Sequence, residues 1–303
     1  MKTTRTTRVA TVGFLVAMTM ILGTAAPAWA GPGILQLATR SGFWATDFPD
    51  GPLFLQHIYS YHFDQIWDGN GHTVDIPDSS MTAAFSRLIG VSHFGDRKQY
   101  QFVIEGILPF YNFSMEASSP GAGDNFSRSG VGHPFIYTAL GWHTPSKNTH
   151  WNGYVAVQVP VGDDDIMNVI GHNAWALLPG VSLQQRFGAF QIEGSIAYWL
   201  NSEDLDSDAR GNNYFEANVI GTLHLGTTTP WWIYLQADYT DYQASRDGQG
   251  HHLDDSGYNW ALAPGVGVAV RPNITIDVKF AFDIDGESTS KGRAVNLRVL
   301  WKF

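Results

Sequence analysis

The sequence predicts an all-β fold: a closed antiparallel transmembrane barrel of about twelve strands, with short turns at one end and long loops at the other. Three observations predict it. Segments of about 9–14 residues alternate apolar and polar side chains, the period-2 signature of a strand with one greasy and one wet face. The connections between them alternate short and long, the layout of barrels that cross a membrane. The last nine residues put Val295, Leu297, Val299, Trp301 and Phe303 on one face and Asn296, Arg298 and Lys302 on the other, and a strand ending in Phe is similar to the terminal strand of bacterial outer-membrane barrels. A soluble β-sandwich offers the same terminal strand but no reason to sort its loops by length.

Residues 1–30 read as a signal peptide. Lys2, Arg5 and Arg8 form a positive start, Val9 to Ala26 is largely apolar, and Ala28-Trp29-Ala30 is a small-x-small cleavage site. Cleavage after Ala30 removes three basic residues and takes the formal charge from −10 to −13. That acidic balance argues against a nucleic-acid partner, which needs a basic face. No later run of 18 apolar residues exists, so the span must be made by strands. Eleven Trp in a 14% aromatic chain suit the girdles that barrels place at the membrane interface. The chain has no cysteine, which excludes a disulfide framework and a thiolate nucleophile.

Residues 31–52 are irregular and serve either as a periplasmic tail or as a small plug; residues 53–303 form the barrel. Strands are expected near 53–64, 81–95, 98–109, 132–144, 150–161, 173–186, 189–201, 213–225, 230–242, 257–270, 273–285 and 292–303. An even number returns both ends to the periplasmic side. Short turns fall at 96–97, 145–148, 187–188, 226–229 and 271–272. Long loops fall at 65–80, 110–131, 162–172, 202–212, 243–256 and 286–291. Pro134, Pro160, Pro179 and Pro264 mark bulges or strand ends, because proline cannot donate to the ladder.

The faces follow from charge. A Lys or Arg facing lipid near the midplane costs roughly 2–4 kcal/mol, so Lys279 and Arg298 must point inward. In 273–285, Ile274, Ile276, Val278, Phe280, Phe282 and Ile284 then face lipid, opposite Asp277 and Lys279. In 189–201, Phe190, Ile192 and Ile196 oppose Gln191, Glu193 and Ser195. Strands 53–64, 81–95 and 132–144 show no such contrast, and their faces stay unassigned. The expected pore-lining residues are Glu105, Gln158, Glu193, Glu216, Asp238, Asp277, Lys279, Asn296 and Arg298. Charged rings set ion preference in pores, and the acidic excess predicts a mild cation preference. Arg298→Glu is expected to alter conductance or selectivity and to leave folding intact.

Other chemistry is thin. No Gly-x-Ser-x-Gly elbow and no phosphate-binding Gly-x-x-x-x-Gly-Lys loop occurs. His150-Trp151-Asn152-Gly153 echoes outer-membrane phospholipases but lacks the serine. Asp163-Asp164-Asp165, the acids from Glu203 to Asp208, and His251-His252 with Asp254-Asp255 read as solvated loops ahead of metal sites. No catalytic residue, metal or cofactor is assigned.

Several stretches carry a resemblance. They are Asp64 to Thr73 (DQIWDGNGHT), Ser129-Gly130-Val131-Gly132-His133-Pro134, Val159-Pro160-Val161-Gly162 with the three aspartates after it, Leu178-Pro179-Gly180, and Ala263-Pro264-Gly265-Val266-Gly267. With these the chain resembles the outer-membrane channel proteins named for the meta-pathway of phenol degradation. His133 stands where that family commonly has Asp, and Phe48-Pro49-Asp50-Gly51-Pro52 replaces a more proline-rich run. The resemblance implies a monomeric twelve-stranded channel in outer-membrane lipid, passing small molecules that include hydrophobic or aromatic compounds, with a lumen fairly free of inward-folded loops. The expected function is therefore passive diffusion and not catalysis. An outer-membrane lipid hydrolase, revealed by serine-directed labelling, and a closed structural or adhesive barrel, revealed by absent conductance, stand as the alternatives.

Overall fold

The computed structural model of the chain describes residues 48–116, 125–171, 173–226, 230–253 and 255–303. The predicted signal peptide and most of the segment 31–52 lie outside the described residues. The elements are β1 (Gly51–Trp67), β2 (Thr73–Phe94), β3 (Tyr100–Met115), β4 (Phe126–Val131), β5 (Phe135–His143) and β6 (Thr149–Gln158). A short helix α1 (Asp164–Ile170) follows, and then β7 (Ala176–Phe187), β8 (Phe190–Asn201), β9 (Tyr214–Leu225), β10 (Trp231–Tyr242), β11 (Gly257–Arg271), β12 (Ile274–Glu287) and β13 (Thr289–Lys302). Every pairing is antiparallel. β1 pairs with both β2 and β13, and β2 with β3, so the sheet closes on itself. β3 pairs with β5 through Tyr100–Ile107 and with β4 through Phe110–Met115. β4 and β5 are thus two halves of one wall position, and the cylinder has the expected twelve staves. No described helix is long and apolar enough to cross a membrane.

The outer surface is greasy. Leu88, Ile104, Leu108, Ile136, Leu140, Val181, Ile196, Val219, Leu235 and Phe280 are all exposed. Phe94, Tyr100, Trp151, Phe187, Phe190, Trp231 and Trp301 sit at the turn ends of their strands. Tyr239 packs on Trp260 near the loop end, with ring centroids 4.7 Å apart. Such a band between aromatic rims is the surface of a protein dissolved in lipid.

Two expected loops are strand instead. β1 runs to Trp67 and β2 begins at Thr73; β12 runs to Glu287 and β13 begins at Thr289. These polar stretches form hairpins that pair side by side, Trp67 with both Thr73 and Thr289. Polarity misled the boundary, because a ladder that continues past the membrane has no need of an apolar face. Likewise the stretch 110–131 contains the paired β3–β4 hairpin arms.

The prolines explain the wall. The β7–β8 ladder skips Leu178 and Pro179, and the β11–β12 ladder skips Ala263 and Pro264. In each case the next residue, Gly180 or Gly265, clears room for a ring on the other neighbouring strand. A side chain at Gly180 would overlap Tyr154, and one at Gly265 would overlap Tyr234. These are direct cross-strand partners. The Pro-Gly motif therefore does two jobs: proline ends pairing on one side, and glycine admits an inward aromatic from the other. Gly265→Val is expected to displace Tyr234 and lose about 1–3 kcal/mol of stability, the usual cost of overpacking. Urea titration of folded protein in detergent micelles would measure it; an unchanged midpoint would show that Tyr234 has somewhere else to go.

Pro134 lies in the gap between β4 and β5, where the ladders with β3 skip Leu108 and Pro109. The segment after β6 closes this gap. Val159 N–H donates to the Pro134 carbonyl (2.9 Å), Asp163 N–H to the Val131 carbonyl (2.7 Å) and Gly162 N–H to His133 Nδ1 (2.9 Å). His133 is buried and accepts a hydrogen bond, a role that the carboxylate usual in the family could also fill. Pro160 lies beyond the end of β6 within this seal.

At the turn end, Asp50 accepts from His93 N–H (2.7 Å) and from Lys98 Nζ (3.0 Å). The Lys98 ammonium and then the His93 ring and amide hold its carboxyl well below the usual carboxylate range. Gln101 Nε2 donates to the Phe48 carbonyl, fixing residues 48–50 to the base of β2 and β3.

Candidate functional site: the inner face of the barrel

The inner face has two unlike halves. From β8 to β13 it is polar, with Gln191, Glu193, Ser195, Glu216, Asn218, Gln236, Asp238, Asp277, Lys279, Asn296 and Arg298 all buried. From β1 to β6 it is largely apolar, with Leu53, Leu55, Phe85, Ile89, Val103, Ile107, Phe113, Phe135 and Ala156 buried. This is why the faces of 53–64, 81–95 and 132–144 could not be assigned: the inner face here is largely apolar, and outward positions such as Gln56, Ser60, Thr82 and Ser86 are polar.

The helix α1 adds to the apolar half. Its Ile166, Met167 and Ile170 are buried in the same cluster as Tyr111, Phe113 and Met115 of β3. The loop after β6 therefore folds inward, unlike the open lumen that the resemblance implies. Asp163 caps the helix, its side chain accepting from Asp165 N–H (3.1 Å), and Asp164 and Asp165 occupy the first turn. The three aspartates are a helix start, where side-chain oxygens satisfy orphan amides and negative charge meets the positive dipole end.

The other acidic loops are also occupied by the chain itself. Asp204 accepts from the amides of Asn173, Asp206 and Ser207. Burial pushes its carboxyl up, but these amides and the Ser207 hydroxyl outweigh burial and bring it below the ordinary value. Asp247 accepts from His251 N–H (2.8 Å), and Asp255 accepts from Ser245 N–H (2.8 Å). Isolated bridges from Glu203 to Arg210, Arg210 to Arg246 and Arg246 to His252 stitch these loops to one another.

The sequence-predicted residues fall as follows. Arg298 on β13 bonds Asp277 on β12, Nε at 2.9 Å and Nη2 at 2.8 Å from Oδ1. Tyr234 Oη donates to the same oxygen at 2.8 Å. Lys279 Nζ donates to Gln236 Oε1 (3.2 Å), and Gln236 Nε2 donates to both oxygens of Asp238 (2.8 and 3.0 Å). Asn296 pairs across the strands with Lys279. Glu193 accepts from Gln191, and Glu216 is buried on β9. Gln158 stands apart at the loop end, its Nε2 donating to the Ala174 carbonyl (3.1 Å). Glu105 lies in the apolar half, bound to Arg87 of β2.

Arg87, Tyr234 and His57 are site residues that the pattern reading passed over, and Gln191 and Gln236 were placed on the polar face without being named as lining. Arg87 had a usable signal. It sits at period 2 with Phe85 and Ile89, and the argument that turned Lys279 inward turns Arg87 inward too. His57 pairs across the strands with Phe85 on one side and Arg298 on the other.

Comparison with known proteins follows the same lines. A structure of an outer membrane channel from Pseudomonas putida F1 matches with a TM-score of 0.74 at 19% identity, covering 88% of this chain and 100% of that one. The β domain of the Bordetella autotransporter BrkA matches at 0.53 and 8% identity, covering 84% and 100%. The transport unit of the autotransporter AIDA-I from Escherichia coli matches at 0.50 and 8% identity, covering 91% and 98%. At these identities the likeness is one of fold. A search of curated proteins found no match. The model of the family described as the MetA-pathway of phenol degradation matches residues 63–299, from the end of β1 to within β13, and the chain belongs to that family.

Proposed function

We infer that this barrel is an outer-membrane channel through which small molecules diffuse passively, and that its permeants are hydrophobic or aromatic compounds carrying a polar group. The observation behind this reading is the division of the inner face. A purely polar bore suits hydrated solutes, and a purely apolar one would shed its water. A bore with one wall of each kind offers a hydrocarbon body an apolar surface and its polar end a partner, along the same path. The nine residues Glu105, Gln158, Glu193, Glu216, Asp238, Asp277, Lys279, Asn296 and Arg298 are proposed as the lining that permeants and ions meet. The turn end faces the periplasm and the long-loop end faces outward, following the usual layout.

Planar-bilayer recording and liposome swelling test the reading. The described inner face carries the acids Glu105, Glu193, Glu216, Asp238 and Asp277 against the cations Arg87, Lys279 and Arg298. Conductance with a modest preference for potassium over chloride is therefore expected. Clear anion selectivity would overturn the charge assignment. Absent conductance together with absent swelling for every graded solute would overturn the channel.

A further inference from the structure

The polar and apolar halves of the inner face meet at β1, and the side chains at that junction are unusual. His57 is fully buried, and neither ring nitrogen has a hydrogen-bond partner among the described residues. Two residues along the same face, Tyr59 is also fully buried with its hydroxyl unpartnered. Buried donors and acceptors are nearly always satisfied, because leaving one unpaired costs about 1–3 kcal/mol. Two such residues side by side on one strand are a cost with no structural return.

Their surroundings say what would satisfy them. The charged groups that act on His57 are Arg298, Arg87 and Lys279, all cations. Each cation has a partner of its own: Arg298 has Asp277, Arg87 has Glu105, and Lys279 has Gln236. The charges that act on the imidazole are thus all positive, while those that act on the Tyr59 phenol, from Asp283 and Asp238, are acids. A neutral imidazole and a phenol hydroxyl both donate to an oxygen. On the other side of His57 the wall is hydrocarbon, with Phe85 as its direct cross-strand partner and Leu55 and Ile89 nearby on the same inner face.

We propose that His57 and Tyr59 form a subsite that binds the carboxylate head of a permeant whose apolar body lies along the inner wall of β1 to β3. This rests on the channel reading above and narrows its substrate class to carboxylates with an aromatic or aliphatic body. The three cations around the imidazole favour an anionic oxygen over a hydroxyl and disfavour an ammonium. Binding is reversible, and no bond is made or broken.

The test uses purified barrel in detergent micelles, with benzoate, benzyl alcohol and benzylammonium as probes of one shape and three charges. Saturable binding is read by calorimetry, and transient block of single-channel current is read in planar bilayers. Benzoate is expected to bind best and benzylammonium not measurably. His57→Phe is expected to weaken benzoate at least about tenfold, as loss of a hydrogen bond to a charged group does. Benzyl alcohol should change far less. Tyr59→Phe removes a single hydroxyl and should weaken benzoate by a smaller factor; it also serves if His57→Phe fails to fold, which heat-modifiable gel mobility reports. Equal binding of benzoate and benzyl alcohol, or benzoate affinity unchanged in both variants, overturns the subsite while leaving the channel intact. Failure of the channel reading is separate: it shows as absent conductance and absent swelling in the unmodified protein.

Discussion

Replacing Glu105 with leucine will cost the barrel about 3–5 kcal/mol, the penalty for stranding one member of a buried ion pair. Glu105 and Arg87 are 2% and 1% exposed, and they join β3 to β2 inside the apolar half of the inner face. Both carboxylate oxygens are used, one by Arg87 Nε and the other by Nη2 at 3.0 Å. Without Glu105 the guanidinium keeps its charge, since arginine does not deprotonate in proteins, and it is left beside Phe85, Ile89 and Ile107. The double variant Arg87→Met, Glu105→Leu should recover most of the loss, because well-packed hydrophobic replacements of a buried pair are often neutral. Equilibrium unfolding of both variants in micelles decides the matter; a single-variant loss below about 1 kcal/mol would place this pair with solvated surface bridges.

Arg298→Glu is expected to be comparably severe. The sequence alone separates permeation from folding at this position and predicts an effect on conductance only. The contacts join the two. Arg298 is the partner of Asp277, and Asp277 also receives the Tyr234 hydroxyl. Glutamate at 298 would set two carboxylates side by side on adjacent strands, away from water. The cost of a lost buried partner, about 3–5 kcal/mol, is the floor for that change. The exchange Asp277→Arg with Arg298→Glu restores opposite charges across the same cross-strand pair and should recover folding. If Arg298→Glu alone folds with an unchanged urea midpoint, the side chains here have access to water and the inner face is looser than described.

Much of this fold is legible in the sequence because lipid enforces alternation. Ile274 to Ile284 against Asp277 and Lys279 could be read with no other knowledge, since only one orientation keeps the charge from hydrocarbon. The terminal strand was legible for the same reason. β1 and β2 were not, because Leu55, Tyr59 and Phe85 face inward while Gln56, Ser60, Thr82 and Ser86 face outward, the reverse of the usual order, and in β5 the inward Tyr137 is flanked by the outward Ile136. Alternation reports which residues share a face, and only a charge such as Arg87 tells which face turns inward. The helix α1 was hidden by its length and by Asp163-Asp164-Asp165, which read equally as a loop until the cap geometry is seen. The polar hairpin ends were hidden because strand pairing above the membrane leaves no period in hydrophobicity. Of the lining residues, those on β8 to β13 could be named, but their partners could not. Gln236 reaches Lys279 from a strand two positions away, and spacing within one strand carries no trace of it.

The seam between the first and last strands has a consequence for how fast the protein can be made. Leu53 pairs with Lys302 and Trp67 with Thr289, so the contacts that shut the ring join nearly opposite ends of the described chain. Loops that long are slow to close, and no partial synthesis can close them early. A nascent chain halted before residue 289 could own every hairpin from β2 to β12 and still be a ribbon with two bare flanks, each able to recruit another chain. Until β13 docks on β1 both flanks stay bare, and topology makes that the contact that closes the ring.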